Sequence, residues 1–499
     1  MNRRELLTAG ASAALLARAP AFASGSDDRA LRAALDGLGN ATPEAKLDRL
    51  KSFSSTSLTL PSALDLLTVR SGLAIDAQLV RRFSFGRLGR SPYSVSLTSG
   101  AWRDAGAVPA KIDADSAAIS ADAASGVVLP TFLLGRTIAA IRNAAASRDG
   151  EAKAAMMRQV SVIEGLASKS SESPGVGRLR DGETYFALML ERQSGERIDA
   201  ASAHQRFIDT ALSLHARADT VLQRLGLSRG SVSERIVALY RQEKWLYPDD
   251  DAGRDRAVAD MNRWLDQARA RAPASFGTVP PECLDVSARR MAHKDEAARR
   301  QGYRFVAAPA RSGVYFVDLA DIRRRPNWSL ASVVHHELLP GHMVQMPIEQ
   351  RADPHPLRIE YASGFAEGWA IYAEQLAAEQ GAFDGDDLAL LGHLHWLLFR
   401  VARAAIDTGI HIRGWSVDKA LQMLREIQGE PAYFASFDSE IDRVCVEPGI
   451  RAAEALNWLA LADRAARTPH RIAFHRGLLD PGRRRIEHFD FPHRHRVSS

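Results

Sequence analysis

Cysteine is nearly missing from this chain: Cys283 and Cys445 are the only two in 499 residues. That count excludes a disulfide framework and leaves either one bridge or two separate buried thiols. Long apolar runs are missing as well. Beyond the N-terminus no segment approaches the ~20 apolar residues of a membrane-spanning helix, so stable membrane insertion is not expected. Charge of one sign is scarce: 65 Lys and Arg face 60 Asp and Glu, a net of +5. Basic residues cluster at Arg323-Arg324-Arg325, at Arg483-Arg484-Arg485 and in the tail Pro492-His493-Arg494-His495-Arg496. Such a run at a chain end is more often solvated than bound to nucleic acid or an acidic surface polymer, and with no aromatic interleaving or nucleic-acid motif beside it nucleic acid is not an expected partner. The His493/His495 pair is not counted as a metal site. Repeats and low-complexity tracts are absent. What is present is a hydrophobic fraction of 46%, enough in a chain this long for a sizeable core, with two to four domains by length.

The first residues read as a processing signal. Arg3-Arg4 forms a twin arginine, Thr8 to Ala17 a modestly apolar run, and Ala21-Phe22-Ala23 a small-x-small cleavage site. Arg18, just past the apolar run, resembles the basic residue that keeps twin-arginine substrates out of the general export pathway. The expectation is export as a folded protein, cleavage near Ala23, and residence in the periplasm or outside the cell. Residues 1–23 are then the export signal and 24–45, rich in Ser, Gly, Asp and Ala, a linker.

Residues 46–275 carry apolar residues at helical spacing and form an N-terminal helical region. Pro130 starts one helix; Asp199 to Leu225 holds another, with Phe207, Ala211, Leu214 and Val221 on one stripe. Stretches 168–177 and 248–253 read as loops. The pattern changes near Phe276-Gly277-Thr278-Val279-Pro280-Pro281, where a second region, 276–490, begins, ahead of a basic tail at 491–499. Tyr303 to Pro309 and Gly313 to Leu319 are short and rich in β-branched and aromatic residues, the mark of a small sheet or hairpin. An edge strand there is placed to hold an extended peptide through its main chain. Helices resume after about residue 328 and run to 467.

That sheet leads into the most informative segment, His336-Glu337-Leu338-Leu339-Pro340-Gly341-His342. It is a stretched relative of the H-E-x-x-H zinc motif, in which imidazoles ligate the metal and the adjacent carboxylate takes a proton from the activated water. His336 and His342 are six residues apart, roughly 240° around an ideal helix, so an unbroken helix could not bring both to one ion. Pro340 and Gly341 provide a break, proline by its lost donor and clash, glycine by its freedom. The bland alternative is a histidine-rich helix end closed by a Pro-Gly turn.

A third ligand is available downstream. Glu367 follows His342 by 25 residues, room for a loop and a return helix, and lies among Phe365, Trp369 and Tyr372. A carboxylate in such surroundings needs a metal, a cation or a donor, a buried arginine pair being the alternative. Glu374 lies on the same face, seven residues on. Further along, Arg400, Arg403, Asp407 and His411 follow helical spacing, with Arg403 and Asp407 placed as an i,i+4 pair. His411 and Tyr372 are both candidates for the donor that stabilises an oxyanion; the spacing does not choose between them.

These blocks, together with Gly364-Phe365-Ala366-Glu367-Gly368-Trp369-Ala370-Ile371-Tyr372-Ala373-Glu374 and Asp407-x-Gly409-x-His411-x-x-x-Trp415, resemble the bacterial family catalogued as domain of unknown function 885. Weaker echoes lie at Ser91-Pro92-Tyr93, Tyr185, His204, Gly313-Val314-Tyr315-Phe316 and Phe474-His475, so the likeness covers nearly the whole mature chain. The resemblance implies a zinc metallopeptidase of the gluzincin kind, with His336, His342 and Glu367 as ligands and Glu337 as general base. One block departs from the family pattern of Arg-Tyr, then Pro-Gly-Gln-Ala and a tyrosine. Here Arg443-Val444 precedes Pro448-Gly449-Ile450-Arg451, and Glu454 stands where the tyrosine falls.

The expectation is a mainly α protein, a large bundle-like helical architecture with a small β-sheet beside a metal-binding helix. It is read as an exported hydrolase with one Zn2+ per chain, cleaving peptides. The alternatives are a metal-dependent esterase or amidase on a small non-peptide substrate, and a metal-stabilised binding protein without turnover.

Overall fold

The computed structural model describes residues 25–491. The export signal with its cleavage site, and the tail from residue 492 on, lie outside them. The fold is mainly α: helices run from Ser26 to Leu479, and the described residues contain one three-stranded sheet. Local chemistry sets many of the helix ends. Asp199 caps the helix Ala200–Arg224 through the backbone N–H of Ser202, and Ser231 with Glu234 makes a reciprocal capping box for Val232–Tyr240. Pro130 immediately precedes the helix Thr131–Ala146. The loop expected through residue 253 is shorter, because Asp250 caps a helix that begins at Asp251.

The stretch 24–45, read as a linker, is instead partly helical. Helix Ser26–Asp36 buries Leu31 and Leu35, one helical turn apart, in a small cluster with Leu66, Val69, Leu73 and Tyr361. Its polar composition masked that stripe. The two regions divided near residue 276 share one core, since a continuous buried cluster extends from Ile75 to Phe489.

At the centre lies the helix Asp387–Ile412, buried on every side from Leu391 to His411 and packed along Ala200–Arg224. The charged residues it carries inside, Arg400, Arg403 and Asp407, are each met by partners from neighbouring helices. No helix among the described residues is long and apolar enough to cross a membrane. The sheet has the order β1-β3-β2, with β1 Val286–Arg290, β2 Tyr303–Phe305 and β3 Gly313–Val317. β2 and β3 form the expected antiparallel pair; β1 runs parallel to β3 and was hidden by its polar sequence, Val-Ser-Ala-Arg-Arg. Cys283 and Cys445 are both buried and free, and burial pushes the Cys283 thiol up to about 12.

Candidate metal centre

The helix Leu330–Glu337 stops at the glutamate, and a second helix starts at His342. Between them the backbone leaves helical space at Leu338 and Gly341, so the break expected at Pro340-Gly341 is present. A side chain at 341 would collide with the carbonyl oxygen of His336, which makes glycine obligatory for so tight a reversal. The carbonyls that the break leaves outside a helix find a donor: Trp369 Nε1 lies 3.2 Å from Pro340 O and 3.3 Å from Gly341 O. Trp369 belongs to the return helix Gly364–Glu379, which also carries Glu367 and Glu374. The same indole therefore fixes the broken turn against the helix that supplies Glu367.

The break brings His342 to His336, with ring centroids 5.0 Å apart and planes at 89°. Glu367 sits between them, its Oε2 3.5 Å from His336 Nε2 and its Oε1 3.7 Å from His342 Nε2. Among the described residues this is the grouping of three His, Cys, Asp or Glu able to hold a metal, with all ligand atoms within 4.8 Å of one another. Tetrahedral zinc with bonds of about 2.0–2.1 Å separates its ligand atoms by roughly 3.3 Å. The donor set and its spacing therefore fit zinc with small side-chain adjustments.

Glu374 buttresses the cluster. His336 Nδ1 lies 2.8 Å from Glu374 Oε1, while Ser332 Oγ donates to Glu374 Oε2 at 2.6 Å. With Nδ1–H donating to the carboxylate, the lone pair of Nε2 is left facing Glu367 and His342. Arg400 Nη2, from the central helix, lies 3.6 Å from Glu374 Oε1 and 3.2 Å from the imidazole. Glu374 is fully buried, yet His336, Arg400 and Ser332 together hold its carboxyl below the usual range. Burial and Arg400 work against a charged His336, but Glu367 and Glu374 outweigh them and raise the imidazole above its ordinary value.

Glu337, next to the first histidine, forms an ion pair with Arg304 of β2. Register places Arg304 opposite Tyr315 of β3, so both side chains lie on one face of the sheet. The Tyr315 hydroxyl faces that of Tyr433, burial raises both phenols, and both feel the Glu337 charge. Sequence reasoning missed Arg304, Tyr315 and Tyr433 as site residues. Strand alternation was the available signal, since it places residue 315 on the opposite face from 314 and 316.

The two expected oxyanion donors are not brought to this cluster. His411 is fully buried, accepts from the backbone N–H of Val176 at Nδ1 (3.0 Å) and reaches Val444 O with Nε2 (3.0 Å). It lies eleven residues beyond Arg400, about 16 Å along the helix, and burial lowers its pKa to about 4. Tyr372 follows Glu367 by five residues, roughly 140° around the helix. Its hydroxyl donates to His475 Nε2 at 2.8 Å, and His475 donates in turn to Ser275 O. Both residues have the helical positions read from the sequence, but their polar atoms are engaged in holding elements together.

The Arg403–Asp407 pair is also absent. Asp407 accepts the backbone N–H groups of Gly449 and Ala452 at 2.9 and 3.0 Å, and Arg403 reaches Glu454 at 3.0 Å and Glu440 at 3.5 Å. Arg451 completes this buried network through Glu454 at 2.6 Å; Glu454, Glu440, Glu447 and Glu367 together outweigh its burial and raise the guanidinium above its ordinary value. The block that departs from the family pattern, 444–454, thus lies near the His336–His342–Glu367 cluster with its own charge balance.

The family model described as "Bacterial protein of unknown function (DUF885)" matches residues 101–483. Among curated proteins none matches. A putative lipoprotein from Colwellia psychrerythraea has a similar structure, with a TM-score of 0.73 at 21% identity over 93% of this chain and 95% of that one. A putative lipoprotein of unknown function from Shewanella oneidensis gives a TM-score of 0.68 at 15% identity, over 94% and 99%. At these identities the likeness is one of fold.

Proposed function

This chain belongs to the bacterial family DUF885, and from its His336–His342–Glu367 cluster we propose that it is an exported zinc-dependent hydrolase, a metallopeptidase. The convergence of these three side chains across a broken helix, with Glu374 behind the first, carries the reading. His336, His342 and Glu367 would hold the ion. Bound zinc supplies a Lewis acid that polarises a carbonyl and acidifies water.

The remaining work falls to the chain itself. Glu337, adjacent to the first ligand, takes the proton from water and returns it to the leaving amine. Arg304 holds that carboxylate at the mouth of the site, and the ion pair opens when substrate enters. The Tyr315 hydroxyl, on the Glu337 side, replaces His411 and Tyr372 as the donor to a developing oxyanion. β2 is an edge strand, and a peptide laid along it gains main-chain hydrogen bonds. Export rests on the twin-arginine leader, in keeping with the lipoprotein names of the two structural relatives.

The test is Glu337→Gln assayed for both metal content and cleavage of a peptide library. The expected variant keeps its zinc and loses at least about a hundredfold in turnover. Full activity at full zinc occupancy refutes the role of Glu337. Esters and small amides in the same panel separate a peptidase from an esterase or amidase. Zinc binding with no turnover of any substrate by the unaltered chain identifies a metal-stabilised binding protein.

A further inference from the structure

Arg325 lies five residues ahead of the metal-bearing helix and is 1% exposed, yet neither Nη1 nor Nη2 has a hydrogen-bond partner. A guanidinium does not shed its proton, and a buried charge left unpaired is strongly unfavourable. Its one evident compensation is the ring of Tyr433, whose centroid lies 3.1 Å from Cζ, and a cation–π contact returns part of that cost only. Other buried arginines among the described residues have acceptors: Arg192 has Asp76, Arg403 has Glu440 and Glu454, Arg358 has Asp65 and backbone carbonyls, and Arg484 has backbone carbonyls.

The surroundings lead from solvent to the reacting end of the site. Tyr433 lies in the loop between the helices Val417–Ile427 and Phe437–Val446, and with Arg324, Ser436 and Ser439 it lines a cavity of about 210 Å³. Its ring lies against Arg325, which does not itself line that cavity, and its hydroxyl faces Tyr315, the cross-strand neighbour of Arg304. Arg304 in turn grips Glu337.

We propose that Arg325 is a carboxylate-recognition residue, its two free Nη groups receiving an anionic group of the substrate when the Tyr433 ring swings aside. A guanidinium presents two parallel donors that match a carboxylate. The inference rests on the peptidase reading for the identity of that group: peptides carry carboxylates at the C-terminus and on Asp or Glu side chains. A subsite of this kind beside Glu337 selects which bond is cut.

Binding decides it without turnover. Isothermal titration uses the mature chain carrying Glu337→Gln, with four probes: N-acetyl-Ala-Ala, its C-terminal amide, N-acetyl-Asp-Ala amide and N-acetyl-Asn-Ala amide. The expected result is a preference of roughly ten- to hundredfold for one acid over its neutral counterpart. The first pair reports a terminal carboxylate and the second a side-chain carboxylate. Adding Arg325→Gln removes the preference. Equal binding of acid and neutral probes, or a preference that survives Arg325→Gln, overturns the proposal. The acid–neutral comparison stands alone if Arg325→Gln does not fold. Because the readout is affinity, an anion preference in a protein that cleaves nothing would sink the hydrolase reading and leave the subsite intact.

Discussion

Replacing Glu374 tests whether the histidine cluster is a metal site held by an outer carboxylate or a chance meeting of polar groups in a core. Glu374 accepts from His336 Nδ1 at 2.8 Å and from Ser332 at 2.6 Å, and lies 3.6 Å from Arg400. In Glu374→Gln the amide carbonyl can still accept from Nδ1–H, but a charged acceptor becomes a neutral one. Hydrogen bonds to charged groups are worth about 1.5–3 kcal/mol and neutral ones about half that. The difference of about 1 kcal/mol, with the lost basicity at Nε2, weakens zinc by about tenfold. Glu374→Ala removes the acceptor altogether, frees the imidazole to rotate, and weakens zinc by roughly a hundredfold. It also leaves Arg400 buried without its carboxylate, so the metal-free protein loses about 3 kcal/mol or more. Competition against a chelator gives the affinities, and melting of the metal-free forms gives the stability term separately. Native zinc affinity in a folded Glu374→Ala variant would refute the reasoning.

Gly341→Ala forces a side chain against the His336 carbonyl, and is expected to cost about 2–4 kcal/mol in thermal unfolding and most of the bound zinc. Gly135→Ala, in the helix Thr131–Ala146 with open space around its Cβ, is expected instead to stabilise by about 0.5–1 kcal/mol. Tyr372→Phe removes one hydrogen bond to His475, so melting should register about 1 kcal/mol while zinc content is unchanged and turnover stays within a few-fold. A hundredfold loss of turnover at native stability would return Tyr372 to the catalytic role. Four core histidines are held neutral by burial, His395, His411 and His475 with pKa lowered to about 4 and His393 to about 3. Unfolded, each binds a proton near 6.5. The unfolded chain therefore takes up more protons as pH falls, and the stability present above pH 6.5 is lost between 6.5 and about 4. Each histidine contributes up to about 1.4 kcal/mol per pH unit. Melting temperature measured from pH 7.5 to 4 should drop steeply through that window, and a flat profile contradicts neutral burial.

That His336, His342 and Glu367 would converge was legible because each signal was local. Pro340-Gly341 announced the break, and the seven-residue spacing put Glu367 and Glu374 on one face. The long helices were legible for the same reason, as periodic stripes with capping residues such as Asp199 at their ends. What stayed hidden depends on contacts between distant segments. His411 had helical spacing in its favour, but spacing does not show that its two ring nitrogens meet Val176 and Val444. Arg403 and Asp407 looked like an i,i+4 pair and were each taken by the helices at 437–446 and 450–467 instead. Arg304, Tyr315 and Tyr433 come from three separate segments, and only the strand register and a loop nearly a hundred residues further along the chain bring them to Glu337.

The most direct test of the account is metal content of the purified mature protein, wild type beside His336→Ala and Glu367→Ala. One zinc per chain in the wild type, lost from both variants while their folds survive, is the predicted result. Full zinc in both variants, or none in a wild type purified without chelator, would contradict the metal centre and with it the hydrolase.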